Sequence, residues 1–205
     1  MLSVKVPFSP HVGSMGVSPP PGRGPLSTVP PDVHGGNLDT RHLGEGAAAL
    51  FPVHAPGGLF SLGDVHAAQG DGEVGGTGVE VDANVTVRLT LIKAGSAQAG
   101  REAVAEWQIR TRSAAAWRSA LRALWAPARD EGARLVTTGF APDLLTASRK
   151  ALAHMVALIR ARRPALSADQ ALMVASMAAD LRISQAVDMP HYSVAAHLPA
   201  AVLDE

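Results

Sequence analysis

Pro142-Asp-Leu-Leu-Thr-Ala-Ser-Arg-Lys-Ala-Leu-Ala-His-Met-Val-Ala-Leu-Ile-Arg-Ala-Arg-Arg163 decides the character of the second half of the chain. Leu145, Leu152, Met155, Val156 and Ile159 return at helical spacing, so one apolar stripe faces a core. Pro142 and Asp143 suit a helix's first turn, where the unsatisfied amides favour an acid and tolerate proline. Arg160, Arg162 and Arg163 suit the opposite end of the dipole. Downstream, Ser167-Ala-Asp-Gln170 has the capping-box pattern, which predicts a helix over 168–177. Residues 181–187 then alternate as a strand. Upstream, 103–111 reads as a strand, and 114–125 as an amphipathic helix carrying Trp117, Leu121, Leu124 and Trp125, stopped by Pro127.

Before about Gly100 the pattern changes. Most glycines and prolines lie there, and the apolar runs are short, at 59–62 and 79–93, which predicts strands and turns. The clearest expected strand is Asn84-Val-Thr-Val-Arg-Leu-Thr-Leu-Ile-Lys93. Val85, Val87, Leu89 and Leu91 share one face, and Thr86, Arg88 and Thr90 share the other. A proline-rich connection over 19–31 can be neither helix interior nor central strand. The expected class is therefore α+β, with a β-rich portion over 1–100 carrying polar loops and an α/β portion over 101–205 with two or three helices.

Composition excludes several functions. The chain has 205 residues, and its eighteen basic and eighteen acidic side chains cancel. No global field would hold nucleic acid or an anionic membrane surface, and a small neutral substrate or a protein partner fits better. Cysteine is absent, which rules out disulfides, thiolate ligands and a thiol nucleophile and agrees with a reducing, cytoplasmic setting. No apolar run reaches the roughly 18 residues of a membrane span, and the first residues lack the apolar core of a signal peptide.

The chemistry concentrates between His34 and Glu80. His34-Gly-Gly-Asn-Leu-Asp39 is followed by Gly63-Asp-Val-His-Ala-Ala-Gln-Gly-Asp-Gly-Glu73. Three readings compete. In the first, Asp64 and His66 share one side of an extended strand at i, i+2 and, with nearby oxygens, ligate a metal that acidifies a bound water. In the second, Glu73 with His34 or His66 moves protons without a metal. In the third, Asp39, Asp64 and Asp71 only hydrogen-bond the backbone in Asx turns. The isolated His154, His191 and His197 read as packing residues. The arginines between 110 and 129 read as a solvated face.

Longer motifs carry a resemblance. Ser9-Pro-His-Val-Gly-Ser-Met-Gly-Val17, the His34 to Asp39 segment, Pro52-Val, Gly58-Leu-Phe-Ser-Leu-Gly-Asp-Val-His-Ala-Ala-Gln-Gly-Asp-Gly-Glu73 and the following Glu80 resemble, in order, the acetamidase/formamidase family. The likeness continues more weakly through Thr138-Gly-Phe-Ala-Pro-Asp-Leu and Asp180-Leu-Arg-Ile-Ser-Gln-Ala-Val-Asp188. It implies a sandwich- or barrel-like β scaffold followed by an α/β part. It also implies hydrolysis of short linear amides such as formamide and acetamide, with a divalent metal near the polar loops, zinc first and calcium second. Family members usually carry a further β-rich portion before the Ser9-Pro-His segment, and this sequence begins eight residues before it. Where the family often has cysteine after Gly-Glu-Val, this chain has Gly75. The stretch 113–131 reads as an insertion.

On that likeness, Asn37, Asp39, Asp64 and His66 are the expected metal ligands, Glu73 and His66 the catalytic pair, and His34 and Gln69 the groups holding the amide. The expected partners are a neutral amide substrate and further copies of the chain, or a separate polypeptide carrying the N-terminal portion. Two other classes stand beside this reading. One is a cupin-like metal enzyme of another reaction type; the other is an inactive or split fragment that serves as a subunit or binding protein.

Overall fold

The computed structural model describes residue 6 and residues 8–102, 107–111 and 132–203. Two antiparallel sheets organise them. The smaller has the order β2-β1-β4, with β1 His11–Gly16 at its centre, β2 Gly35–Asn37 on one side and β4 Ser61–His66 on the other. The larger has the order β3-β5-β6-β8-β7. It is built from β3 Ala48–Leu50, β5 Gln108–Thr111, β6 Arg134–Ala141, β7 Asp180–Gln185 and β8 Tyr192–Pro199. Among the described residues three α-helices accompany them: α1 Ala97–Glu102, α2 Leu144–Arg162 and α3 Ala168–Ala178. The architecture is the mixed α and β class expected from the sequence.

The helices obey their local signals. The Asp143 carboxylate accepts a hydrogen bond from the Thr146 amide at 2.8 Å, closing the N-terminus of α2. Ser167 and Gln170 satisfy each other's backbone amides in a reciprocal capping box on α3. Ala147, Ala151, Met155, Leu158 and Ile159 are the buried stripe of α2. They pack with Leu135, Val194, Ala196 and Leu198 of the sheet. Gly139 allows this contact, because a Cβ there would collide with the carbonyl of Ala147 and the amide of Ala151. His154 is a packing residue, its Nδ1 lying 2.7 Å from the Thr138 carbonyl.

The opposite face of the larger sheet is also covered, which explains why six consecutive residues of β8 are buried. Leu38, Leu43, Trp107, Ile109, Val136, Phe140 and Ala195 form this second core, with Met15, Val33, Ala49 and Phe51 against it. Leu38 is fully buried and immediately precedes Asp39. The loop carrying the acid is thereby tied to the sheet.

The sequence expectation fails most clearly at 84–93. These residues form no strand, and Val85, Val87, Leu89 and Leu91 are all exposed. Alternation supplies a face but not a partner, and an isolated strand has nothing to bond with. The strands β6 and β8, which form the centre of the larger sheet, escaped the reading by periodicity because burial on both faces removes the alternation. The expected strand at 103–111 is present as β5, its first residues lying outside the described ones. The expected helix at 114–125 and insertion at 113–131 lie outside them.

His197 of β8 is fully buried, and neither ring nitrogen has a hydrogen-bond partner among the described residues. Its ring meets that of His42 edge-on at 4.3 Å between centroids. Burial, His42, Arg182 and Arg134 push its pKa down to about 2 against the opposing pull of Asp71. The imidazole stays neutral in the fold while the unfolded chain takes up a proton below about pH 6.5. Stability is therefore complete above that pH and declines as pH falls, until the folded group itself titrates. Between pH 7 and pH 5 this residue should remove about 2 kcal/mol of stability. Denaturant titrations of the wild type and of His197→Phe at both pH values test it, and equal pH slopes in the two proteins would contradict it.

Candidate functional site

The site begins where the pairing of β1 and β4 is interrupted. Val12 faces Val65 and Ser14 faces Gly63, while Gly13 and Asp64 drop out of the ladder. Asp64 has φ +58, so the peptide turns out of the regular strand there. The i, i+2 argument consequently reached a correct contact through the wrong geometry: Asp64 Oδ1 lies 3.1 Å from His66 Nε2, but not by regular pleat alternation. On the other side of β1, the amides of Leu38 and Asp39 both donate to the Gly13 carbonyl. Two carboxylates thus converge over Gly13, where a Cβ would lie 2.6 Å from Asp64 Oδ2 and 2.8 Å from Asp39 Oδ1.

Asp39, Asp64 and Glu73 are three of the four non-glycine residues with positive φ among the described residues, the fourth being Leu59. Left-handed backbone is unfavourable for a side chain beyond glycine, least so for Asp, and persists where the surroundings impose it. Here it aims three acids at one place.

His66 ends β4 and is 1% exposed. Its Nδ1 lies 2.7 Å from Gln69 Oε1, an acceptor, so the proton belongs on Nδ1. The Nε2 lone pair then faces two carboxylates, Asp64 Oδ1 at 3.1 Å and Glu80 Oε1 at 3.0 Å. Two carboxylates and an imidazole lone pair facing one another call for a proton or a cation between them. Gln69 Oε1 also meets His11 Nε2 at 3.1 Å, and its Nε2 donates to the Asp39 carbonyl at 2.6 Å. Gly78 leaves room for the imidazole, since a Cβ there would come within 2.8 Å of the ring.

A third wall arrives from the far end of the chain. Asp188 accepts a hydrogen bond from Asn37 Nδ2 at 3.1 Å, across 151 positions. Its own amide and that of Val187 donate to the buried Gln185 Oε1, which holds this loop against the end of β7. The backbone of Gly72 bonds on both sides to Ser184 and Ala186, fixing the Glu73 turn to the same edge.

Electrostatics follow from crowding. Burial lifts the Asp39 carboxyl far above the carboxylate range, with Asp188, Glu73 and Asp64 adding to it. Asp188 is raised too, by burial first and by Asp64. Glu73, 6% exposed, is pushed up to about 7 by burial and by the charges of Asp188, Asp64 and Glu80, against a lowering from His66. Asp71 behaves differently. Burial raises it, but the hydrogen bond from His42 and the charge of Arg41 bring it down to about 2. It is an ion-pair residue of the turn.

The donor geometry suits a cation. Ligand atoms of Asp39, Asp64 and His66, of His66, Glu73 and Glu80, and of Asp39, Glu73 and Asp188 lie in three overlapping sets, each within 4.8 Å. Asp39 Oδ1 is buried and has no hydrogen-bond partner among the described residues. One imidazole nitrogen among carboxylate oxygens fits zinc, and the oxygen-rich remainder fits calcium.

Of the residues singled out from the sequence, Asn37, Asp39, Asp64, His66, Gln69 and Glu73 meet here. His34 lies elsewhere, its neighbouring charges being Asp32, Arg23 and His54. Gln69 is engaged on both ends of its amide with the protein, an arrangement that positions His66. Asn37 is engaged with Ser14 and Asp188. Reading by residue assigned no role to Gly13, Glu80, Gln185 or Asp188. All four lie inside the conspicuous motifs, so the signal was present, but nothing local joins 188 to 37.

Residues 20–205 match the model of the acetamidase/formamidase family. A formamidase of Methylophilus methylotrophus is 44% identical over 69 residues, which is 33% of this chain and 17% of that protein. The crystal structure of a recombinant predicted acetamidase/formamidase of Thermoanaerobacter tengcongensis aligns with TM-score 0.70 and 29% identity, over 97% of this chain and 56% of that one. An acetamidase of Bacillus halodurans aligns with TM-score 0.67 and 27% identity, over 94% and 55%. The chain thus spans about half the length of these solved structures and a smaller share of the curated relative.

Proposed function

Because the chain belongs to the acetamidase/formamidase family, we propose that it serves hydrolysis of a short linear amide, such as formamide or acetamide, to the carboxylate and ammonia. The observation that carries this reading is Glu73, a buried acid with a pKa near 7 beside the donor set of Asp39, Asp64 and His66. An amide is a poor electrophile with a poor leaving group. Its cleavage needs water deprotonated, the carbonyl polarised and the nitrogen protonated as the bond breaks.

Glu73 supplies the first and third of these. Its carboxylate takes the proton of the attacking water and returns it to the amide nitrogen, so that ammonia leaves and the carbonyl carbon keeps the water's oxygen. A pKa near neutrality suits both transfers, because neither protonation state is strongly preferred. Asp39, Asp64 and His66 would hold a divalent cation, with Glu80 and Asp188 at the margins of the same cluster. Such an ion would supply Lewis acidity and a more acidic water. Gln69 fixes the His66 ring and its tautomer; Asn37 and Gln185 fix Asp188. Fixed neighbours of this kind keep ligating groups oriented.

Among the described residues no helix is long and apolar enough to cross a membrane. A cytoplasmic setting agrees with the cysteine-free sequence, and association with further copies or with a complementary polypeptide belongs to the same proposal.

Ammonia release from formamide, acetamide and propionamide, measured with and without a chelator, tests this reading. Turnover should fall to background on chelation and return with zinc. Turnover unchanged by complete metal removal would sink the metal-assisted form. No ammonia from any of the three amides, with the chain alone and with its complementary portion, would sink the amidase reading.

A further inference from the structure

Asp39 and Glu73 belong to turns anchored on different sheets. In the first, the Leu43 amide donates to the Thr40 carbonyl, while the Asp39 amide donates to Gly13 and the Leu43 carbonyl accepts from Val12, so both ends are pinned to β1. The second is closed by the Glu73 amide on the Gly70 carbonyl, and Gly72 fastens it to Ser184 and Ala186 at the end of β7. Among the described residues no backbone hydrogen bond joins 40–43 to 70–73.

Side chains make that connection. Arg41 Nε donates to Asp71 Oδ1 at 3.0 Å, and His42 Nε2 stands 3.5 Å from the same oxygen. The His42 ring in turn rests edge-on against His197 of β8. Arg41 stands two positions after Asp39, and Asp71 two positions before Glu73, so the contact runs from the turn carrying one acid to the turn carrying the other. Asp71 stays ionised for it. Burial alone would raise its carboxyl, but the hydrogen bond from His42 and the charge of Arg41 bring it down to about 2.

An ion pair whose side chains are 31% and 32% exposed adds little to global stability. Its value lies in position. Ligand atoms of Asp39 and Glu73 come within 4.8 Å of each other, and the charge of Glu73 is among those that disfavour an ionised Asp39. Two such acids need a restraint that keeps their turns together.

We propose that Arg41 and Asp71, backed by His42, form a latch that sets the place of Glu73 opposite Asp39, which makes them positioning residues for the proton transfer. They touch neither the substrate nor a reacting atom. Asp39 is already held through Gly13 and through Leu38 in the core, so Glu73 is the partner that moves. With the latch released, the 70–73 turn pivots about Gly72 and carries Glu73 away from the attacking water, while Asp39, Asp64 and His66 keep their places. The catalytic part of this role rests on the amidase reading; the latch itself does not.

Arg41→Gln, Asp71→Asn and the double variant test it. Each single change should lower kcat about tenfold or more at nearly constant KM, because a misplacement of about 1 Å can cost on the order of 100-fold. The double variant should lose no more than the worse single one, as the two halves of one contact do. Tm and zinc affinity by calorimetric titration should stay near those of the wild type in all three. Independently of turnover, the amides of Glu73 and Gly76, whose hydrogen bonds close this turn, should exchange about tenfold faster, while those of Asp39 and Leu43 keep their wild-type rates.

Losses that multiply in the double variant would show that Arg41 and Asp71 act separately, and would overturn the latch. Unchanged exchange at Glu73 and Gly76, or weakened zinc binding, would overturn it as well. Full kcat in a variant whose turn exchanges faster would overturn the positioning role. If the wild type hydrolyses no short amide, the exchange measurement alone decides: faster exchange confined to the turn upholds the latch while the reaction falls, and unchanged exchange removes both.

Discussion

Glu73→Gln should lower turnover of a short aliphatic amide by roughly 100-fold or more, since general acid–base catalysis typically contributes about 10²–10⁴-fold. The fold should survive. Glu73 sits among Asp188, Asp64 and Glu80, whose charges help raise its pKa to about 7. A neutral amide of the same shape relieves that repulsion, so Tm should hold or rise. The loss should appear in kcat more than in KM, because Gln retains the size and hydrogen-bonding reach of Glu and lacks only the ability to take the proton. Steady-state kinetics alongside thermal unfolding separates the two effects. Wild-type turnover in a folded variant would remove Glu73 from the proton-transfer role.

Gly13→Ala should damage the site without touching any acid. A Cβ at this position would lie 2.6 Å from Asp64 Oδ2, 2.7 Å from the Asp64 carbonyl oxygen and 2.8 Å from Asp39 Oδ1. No real Cβ contact is so short, so the two carboxylates must separate or β1 and β4 must part. Overpacking of this kind costs about 1–3 kcal/mol. Displaced supports lower metal affinity by about 10–100-fold. Gly63→Ala is the control, on the neighbouring strand with nothing within 4 Å of its Cβ position. Calorimetric titration with zinc should show weakened binding only in the Gly13 variant. Equal affinities would mean that the convergence of Asp39 and Asp64 over Gly13 is not a metal site.

The two substitutions probe different kinds of legibility. Glu73 stood out in the sequence because an acid among glycines, following Asp64, His66 and Gln69, has the composition of a site. Gly13 did not, because a glycine declares only that a side chain is missing and not what occupies the space. The same contrast separates His66 from Asp188. His66 could be read from its neighbours, while Asp188 acquires its meaning from Asn37, 151 positions away. His34 shows the opposite error: it shared a motif with Asn37 and Asp39, yet the tight turn closed by the backbone pair of Asp32 and Gly35 leaves it beside Asp32 and His54.

By itself the sequence determined α2 and α3, the capping box at Ser167, the mixed class of the fold and the loops that hold the acids. Those features depend on interactions within a few residues, and turns, caps and helical stripes are complete over that range. Only the tertiary structure decided which alternating segment becomes a strand, leaving 84–93 unpaired while β6 and β8 became the centre of the larger sheet. It alone brought Asp188 to Asp39 and forced Asp39, Asp64 and Glu73 into left-handed backbone. The physical reason is that a strand's hydrogen bonds and a buried acid's charge are satisfied by partners distant in sequence, and no local pattern names them.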